Sequence, residues 1–180
     1  MMREALLIID FQNDFVAGGA LPVPHGDEIL DRVNELIDSN RFDLVIATRD
    51  WHPADHHSFK DQGGPWPPHC IQDSEGAELH PGVHTDKIDV VVDAGFRAGL
   101  DGYSGFEKTR LESVLREHDI DRVTVVGLAT DYCVRHTALD ALRQGFDVVL
   151  DTEGIRGIDV EPGDSQRALE ELAGAGATVR

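Results

Sequence analysis

One carboxylate and several imidazoles are concentrated in a part of the chain where they could hold a metal ion. Asp50 and His52 are two residues apart, so an extended backbone directs both side chains to the same side. His56 and His57 follow closely, and His69 ends a proline-rich segment that restricts its backbone. Carboxylate and imidazole ligands suit Zn²⁺, Mn²⁺ or Fe²⁺, although histidines in a loop are also often ordinary surface residues.

Cys133, one of two cysteines, lies between an apolar run and a helical segment, within residues 127–133. The dipole and free N–H groups of a helix N-terminus favour a thiolate, and the same groups can hold an oxyanion. Cys133 is therefore a candidate nucleophile. The alternative is a small buried hydrophobic side chain, which is the commoner role of a free cysteine.

Asp10 stands where the first apolar run of the chain ends. A carboxylate at that place can act as a general base or as a cap for the following turn. Ligands of open α/β sheets bind outside the carboxyl ends of the strands. Asp10, Cys133 and the candidate metal ligands are therefore expected to form one site.

The elements that position these residues alternate between strand and helix patterns. The strand-length runs are continuously apolar, which is typical of strands covered on both faces. Between them lie amphipathic stretches, such as residues 28–37. This alternation predicts a single α/β domain over residues 1–180, with a doubly wound, mostly parallel sheet and helices on both faces. The predicted strands are residues 5–9, 44–47, 88–92, 123–126, 148–150 and 177–179.

Residues 51–86 form a long segment rich in proline, glycine and histidine. A loop of this length inside a compact domain is usually functional. We interpret it as the metal-binding region.

The composition excludes several classes of protein. The 180 residues include 34 acidic and 16 basic side chains, a net charge of −18, so nucleic acids and anionic membranes are unsuitable partners. No apolar run approaches the roughly 18 residues of a membrane span. The chain also starts without the features of a signal peptide, which predicts a cytoplasmic protein. Two cysteines are too few for a disulfide framework.

The acidic surplus, with thirteen arginines against three lysines, indicates a salt-adapted protein such as that of a halophile. Self-repulsion at this charge destabilises the compact state, and salt screens it. An acidic protein from an ordinary mesophile is the alternative.

Five motifs together resemble those of the nicotinamidases, also called pyrazinamidases, of the isochorismatase-like cysteine hydrolase superfamily. They read Ile-Asp-Phe-Gln-Asn-Asp-Phe, Thr-Arg-Asp-Trp-His-Pro, Gly-Pro-Trp-Pro-Pro-His-Cys, Tyr-Ser-Gly-Phe-Glu and Gly-Leu-Ala-Thr-Asp-Tyr-Cys-Val. The resemblance runs from about residue 4 to the C-terminus and implies the isochorismatase-like hydrolase fold. The metal motif separates nicotinamidases from the metal-free members of the superfamily. The motifs occupy residues 9–15, 48–53, 64–70, 103–107 and 127–134.

The resemblance assigns roles to the candidate residues. It implies that Cys133 is the nucleophile and that Asp10 takes its proton. One divalent metal ion, most often zinc, with iron and manganese as alternatives, would be held by three ligands. His56 falls where some members supply a fourth ligand, with His57 as the competitor. The three implied ligands are Asp50, His52 and His69.

The same resemblance implies a substrate pocket and an oxyanion hole. Phe15, Trp66 and Tyr103 match the aromatic side chains that surround a pyridine ring. The peptide bond before Ala129 would be cis, which turns the Ala129 N–H, together with that of Cys133, toward the oxyanion.

One position departs from the pattern of the family. The resemblance predicts a catalytic lysine after the third strand, but the matching residue is Ala94. Without a cation there, Asp10 is closer to neutral and Cys133 is harder to deprotonate. Three interpretations stay open: an engineered substitution, a natural weak or inactive homologue, or replacement of the lysine by Arg97.

The function implied is hydrolysis of nicotinamide to nicotinic acid and ammonia in the salvage of NAD, with pyrazinamide as a further substrate, at a rate reduced by Ala94. The alternatives are a nicotinamide-binding pseudoenzyme, another small-amide or vinyl-ether hydrolase of the superfamily, and an inert protein with a structural metal. A homo-oligomer is also open, with an apolar helix patch at Leu111 or Leu139 as its interface.

Overall fold

The structure, a computed structural model, describes residues 1–180. Its six strands form one sheet in the order β3-β2-β1-β4-β5-β6, and all neighbouring strands are parallel. This confirms the predicted doubly wound α/β fold. The strands are β1 (Glu4–Ile9), β2 (Leu44–Asp50), β3 (Val90–Ala94), β4 (Arg122–Leu128), β5 (Asp147–Arg156) and β6 (Thr178–Val179).

Four helices cover the two faces of this sheet. Helix α1 (Leu30–Asp38) lies on one face. Helices α2 (Leu111–Glu117), α3 (Arg135–Arg143) and α4 (Asp164–Gly174) lie on the other. None of these helices is long and apolar enough to cross a membrane.

Successive side chains of the central strands pack alternately into two separate hydrophobic cores, one on each face of the sheet. In β1, Leu7 packs beneath α2, α3 and α4, whereas Leu6 and Ile8 pack on the α1 side. Burying one such side chain contributes about 1.5–3 kcal/mol. Because β1 is apolar on both faces, it lies in the middle of the sheet, as the continuous apolar run predicted.

The observed strands differ in their bounds from the apolar runs, most of all β5, which continues to Arg156 rather than ending at residue 150. β2 continues through polar residues to Asp50, and β3 starts at Val90 rather than at residue 88. The later start of β3 follows from Asp89, whose N–H donates to the Val45 carbonyl while its carboxylate accepts from the Val45 N–H. Backbone pairing between β2 and β3 therefore extends both strands to the edge of the sheet at which the polar residues lie.

The two residues proposed for an apolar interface patch are not available for it. Leu111 is fully buried and Leu139 is 9% exposed, and both belong to the core beneath α2, α3 and α4. The correction has a simple cause, since the apolar faces of α2 and α3 pack against the sheet.

Candidate active site

The candidate residues meet at the carboxyl edge of the sheet. β1 pairs with β2 and β4 so that Ile9 is opposite Thr48 and Gly127, and Asp10 follows directly. β2 and β3 place Asp50 opposite Ala94. Four strands therefore end around one cleft, as expected for an open α/β sheet.

Asp10 is almost completely buried and adopts a left-handed backbone conformation, with φ of 47°. The Thr48 hydroxyl donates to Asp10 Oδ1 at 2.7 Å. Burial, followed by the nearby charge of Asp50, raises the pKa of Asp10 well above its usual value. Hydrogen bonds from Cys133 and Thr48 oppose this effect only in part. Asp10 is thus suited to carry a proton beside the thiol.

Cys133 lies on a π-helical turn, Thr130–Val134, that leads into α3. The N–H groups of Tyr132 and Val134 both donate to the Ala129 carbonyl at 3.1 Å. The peptide bond Leu128-Ala129 is cis, as the resemblance implied. Burial, followed by the charges of Asp10 and Asp50, raises the pKa of the Cys133 thiol well above its usual value.

A glycine at the end of β4 is required by the close approach of β1. Gly127 has φ of 119°, and a Cβ atom added there would lie 2.1 Å from the Ile9 carbonyl oxygen. Any larger residue would push the turn that carries Cys133 away from Asp10.

Asp50, His52 and His69 form a buried cluster whose ligand atoms all lie within 4.8 Å of one another. His52 Nδ1 lies 2.8 Å from the Gly95 carbonyl, and His69 Nδ1 lies 2.8 Å from the Pro67 carbonyl. Their Nε2 atoms lie 3.3 Å and 3.8 Å from Asp50 Oδ2. Backbone carbonyls that fix Nδ1 leave Nε2 free for a metal ion.

Charge coupling inside this cluster is strong. Burial by itself raises the pKa of Asp50, but the charges and hydrogen bonds of His52 and His69 outweigh it and lower that pKa to about 2. Burial likewise lowers the pKa of His52, and the attraction of Asp50 outweighs it and raises that pKa.

His56 and His57 have different surroundings. His56 is buried, with its ring centroid 3.8 Å from that of His52. Its Nδ1 lies 2.7 Å from Ser58 Oγ, and its Nε2 lies 2.6 Å from the Leu100 carbonyl. Burial, followed by the charge of His52, lowers the pKa of His56 to about 4. His57 is half-exposed and pairs with an exposed aspartate at 2.8 Å. His56 is therefore next to the cluster, but both of its nitrogens are already engaged.

Gln12 is a positioning residue that sequence reasoning missed. It is fully buried; its Nε2 donates to the carbonyls of Asp50 and Ala77 at 2.7 and 2.8 Å, and its Oε1 accepts from the Asp50 N–H at 2.9 Å. One amide thus joins β1 to β2 and to the loop of residues 51–86. A polar residue three positions after the end of an apolar strand was the available signal.

Phe15, Trp66 and Tyr103 line one cleft together with Asp50 and Cys133. The cleft is narrow and mostly apolar, as ligand pockets usually are. The Trp66 indole N–H donates to the Tyr103 hydroxyl at 2.9 Å.

Two further rings beside this cleft had no role in the sequence analysis. Tyr132 meets Trp66 edge-on, with centroids 5.2 Å apart. His136 stacks on Tyr103, with centroids 5.2 Å apart and 20° between the planes. Residues 132 and 136 are about one helical turn apart on the segment that contains Cys133, and both rings lie against Tyr103.

Ala94 occupies a buried place beside Asp50, and the structure brings no basic side chain there. Neither Asp10 nor Asp50 forms an ion pair with a lysine or arginine. Arg97 is exposed and lies over the Phe96 ring, 5.4 Å from its centroid. The arrangement therefore does not favour replacement of the lysine by Arg97.

These features define an α/β protein with a buried cysteine and carboxylate beside a cluster of metal-ligand side chains. The model of the isochorismatase domain family matches residues 4–180. The chain therefore belongs to the isochorismatase family.

Within this family, the chain is similar to nicotinamidases and pyrazinamidases. The chain is 46% identical to the nicotinamidase of Escherichia coli over 202 residues, which covers 99% of this chain and 95% of that protein. The Pyrococcus horikoshii pyrazinamidase in complex with zinc has a TM-score of 0.89 and 45% identity, and covers 99% and 98% of the two chains. The protein PnC1 from L. infantum in complex with nicotinate has a TM-score of 0.95 and 39% identity, and the match covers 99% of this chain and 92% of that chain.

Proposed function

We propose that this protein hydrolyses nicotinamide to nicotinic acid and ammonia, and pyrazinamide in the same way. The observation that carries the proposal is the placement of Cys133 against Asp10 and Asp50, with ligand atoms within 4.8 Å, at the base of an apolar cleft. A flat aromatic amide suits such a cleft. The names of the similar proteins support the same substrate class. In the cytoplasm, the reaction would salvage nicotinamide for NAD.

Asp50, His52 and His69 are suited to hold a divalent metal ion. Both histidines turn a free Nε2 toward the carboxylate, and one carboxylate with two imidazoles is a set that Zn²⁺ accepts, as do Fe²⁺ and Mn²⁺. When bound, the ion supplies a Lewis acid that orients the ring nitrogen of the substrate. His56 would join it only after giving up its contact with the Leu100 carbonyl.

The reaction begins when the Cys133 thiol passes its proton to Asp10. The thiolate attacks the carboxamide carbon, and the N–H groups of Ala129 and Cys133 receive the oxyanion. Asp10 then gives the proton to the leaving nitrogen, so the C–N bond breaks and ammonia departs. Asp10 next takes a proton from water, whose hydroxide cleaves the thioester. Nicotinic acid leaves, and the proton returns to the Cys133 sulfur.

Ala94 reduces the rate of this reaction. The pKa values of Asp10 and Cys133 are both raised, which disfavours the carboxylate and the thiolate that the reaction needs. No lysine at position 94 stabilises these negative charges. Loss of one electrostatic group in an active site typically lowers kcat by about 10²–10³.

Ala94 also favours a second candidate function, a protein that binds nicotinamide without hydrolysing it. The cleft, Phe15, Trp66 and Tyr103 would be the same. Only the chemical step would be missing.

Two measurements at high salt, on protein loaded with one equivalent of Zn²⁺, test the proposal. Ammonia release from nicotinamide is compared in the native chain, Cys133→Ala and the matched control Cys70→Ala, and nicotinamide binding is measured by calorimetry. We expect release from the native chain and Cys70→Ala alone. Unchanged release from Cys133→Ala contradicts the mechanism, and binding without release from the native chain favours the binding protein.

A further inference from the structure

A second group of potential metal ligands lies beside the first. Asp10, Asp50 and Cys133 are all buried, and their ligand atoms lie within 4.8 Å of one another. Asp50 belongs to both groups. A shared carboxylate of this kind is how two-metal sites hold ions about 3.5–4 Å apart.

The two oxygens of Asp50 have different surroundings. Oδ2 faces the imidazoles of His52 and His69. Oδ1 is buried and has no hydrogen-bond partner, and the residue as a whole is 5% exposed. A buried carboxylate oxygen without a partner is costly. Oδ1 is therefore free to bind a second ion, different from the ion held by Oδ2 and the two imidazoles.

The side chains beside the two carboxylates include no lysine or arginine. Ala94 lies opposite Asp50 across the β2–β3 pair, and both side chains belong to the same face of the sheet. A methyl group is thus the nearest side chain from β3, and neither Asp10 nor Asp50 has a lysine or arginine partner. Two buried carboxylates without such a partner attract a cation.

We propose that Asp10, Asp50 Oδ1 and Cys133 form a second divalent-metal site, which takes Zn²⁺ and blocks the nucleophile. A thiolate with two carboxylates is a donor set that zinc binds well. On binding, the thiol proton passes to solvent, and sulfur donates its electron pair to the metal instead of to a substrate. Excess zinc therefore inhibits this chain.

Ala94 is what leaves room for this second ion. A lysine at residue 94 would place an ammonium group near both carboxylates and would repel a divalent cation. Ion binding requires only the three ligands, so it can be tested whether or not the chain hydrolyses nicotinamide.

Cobalt distinguishes the two sites because only the second contains sulfur. The metal-free protein is titrated with Co²⁺ alone; bound ions are counted by equilibrium dialysis, and sulfur-to-cobalt charge-transfer absorption is recorded. We expect two ions per native chain and a charge-transfer band that grows with the second ion. Cys133→Ser, Asp10→Asn and Ala94→Lys should each bind one ion without the band.

Cys70→Ala is the matched control for the other buried cysteine and should retain two ions and the band. Binding of the first ion by every variant shows that the variant is folded. One ion per native chain, or a band that persists in Cys133→Ser, overturns the proposal. A native chain that binds two ions in the titration, yet releases no ammonia when it is loaded with a single ion, contradicts the proposed function alone.

Discussion

At the scale of single residues, the site is defined by ionisable groups that are buried without full compensation. Asp10 and Cys133 are both almost inaccessible, and burial is the largest contribution to the raised pKa of each. The charge of Asp10 also raises the pKa of the Cys133 thiol, whereas the hydrogen bond from the thiol partly stabilises the Asp10 carboxylate, so a proton stays between them until a cation or a substrate changes the balance. The charge of the side chain at position 94 therefore has a large effect on the protonation of Asp10 and Cys133.

Replacing Ala94 with lysine should accelerate the reaction. The new ammonium group would stabilise negative charge on Asp10, on Cys133 and on the substrate, and we expect kcat to rise by about 10²–10³. The measurement is steady-state ammonia release from nicotinamide with saturating zinc at the first site.

Ala94→Met is the matched control, because methionine has nearly the length of lysine but no charge. It should leave kcat low. Equal acceleration by both variants would show that bulk rather than charge limits the reaction, and no change with lysine would mean that another group already supplies the charge.

At the scale of elements, the cleft is closed by contacts between separate loops. Trp66 comes from the loop of residues 51–86, and Tyr103 comes from the segment between β3 and α2. Their hydrogen bond joins the two loops, and His136 on α3 supports the Tyr103 ring from its other side. The shape of the pocket thus depends on three segments that are distant in sequence.

Tyr103→Phe should loosen this closure. It leaves the Trp66 indole N–H without its acceptor, a loss of about 0.5–1.5 kcal/mol. Because the bond shapes the pocket rather than the reacting atoms, KM for nicotinamide should rise while kcat changes little. Tyr132→Phe is the control, since it removes a ring hydroxyl at the same mouth but not this bond. A fall in kcat with unchanged KM would contradict the argument.

The lowered pKa of the half-buried His136 predicts a pH dependence of stability. Burial, followed by the charge of Arg135, lowers the pKa of His136, against the attraction of Asp140, Asp101 and Glu171. The unfolded chain therefore binds a proton at about pH 6.5 while the folded chain does not. Protonation of His136 in the unfolded chain therefore lowers the free energy of unfolding as the pH falls below about 6.5, and it has no such effect above that pH.

His136→Phe should remove that part of the dependence. Urea unfolding midpoints at pH 7.5 and 5.5 are compared in the native chain and the variant. We expect a smaller loss on acidification for His136→Phe, whose ring can still stack on Tyr103. Parallel losses in both proteins would show that His136 does not contribute.

At the scale of the whole molecule, the dominant feature is the net charge of −18. Most carboxylates lie on the surface, where pairs such as Lys87 with Asp38 contribute little individually. The fold therefore carries a self-repulsion that its ion pairs do not cancel.

Salt should stabilise this protein strongly. Raising KCl from about 0.1 M to 1 M shortens the screening length from about 10 Å to 3 Å, so the Tm by circular dichroism should rise steeply over this range. Sucrose at equal osmolality is the control for general exclusion effects. A Tm that rises equally in sucrose, or falls in KCl, would contradict the interpretation of salt adaptation.

The sequence by itself determined the central strands, the alternation with helices and the residue types of the site. Continuous apolar runs such as that of β1 can be recognised locally, because a strand covered on both faces must be apolar throughout. The positions of Asp10, Asp50 and Cys133 at strand ends then place them on one edge. Ala94 was noticed only through the family resemblance, which predicts a lysine at that position.

Only the tertiary structure decided how these groups are paired. Gln12 reaches Asp50 and Ala77, which are 38 and 65 residues away, and His56 bonds to the Leu100 carbonyl rather than facing a ligand cluster. Such contacts depend on the directions of side chains that arrive from separate loops, and no local pattern encodes those directions. The two environments of the Asp50 oxygens, on which the second metal site rests, arise in the same way.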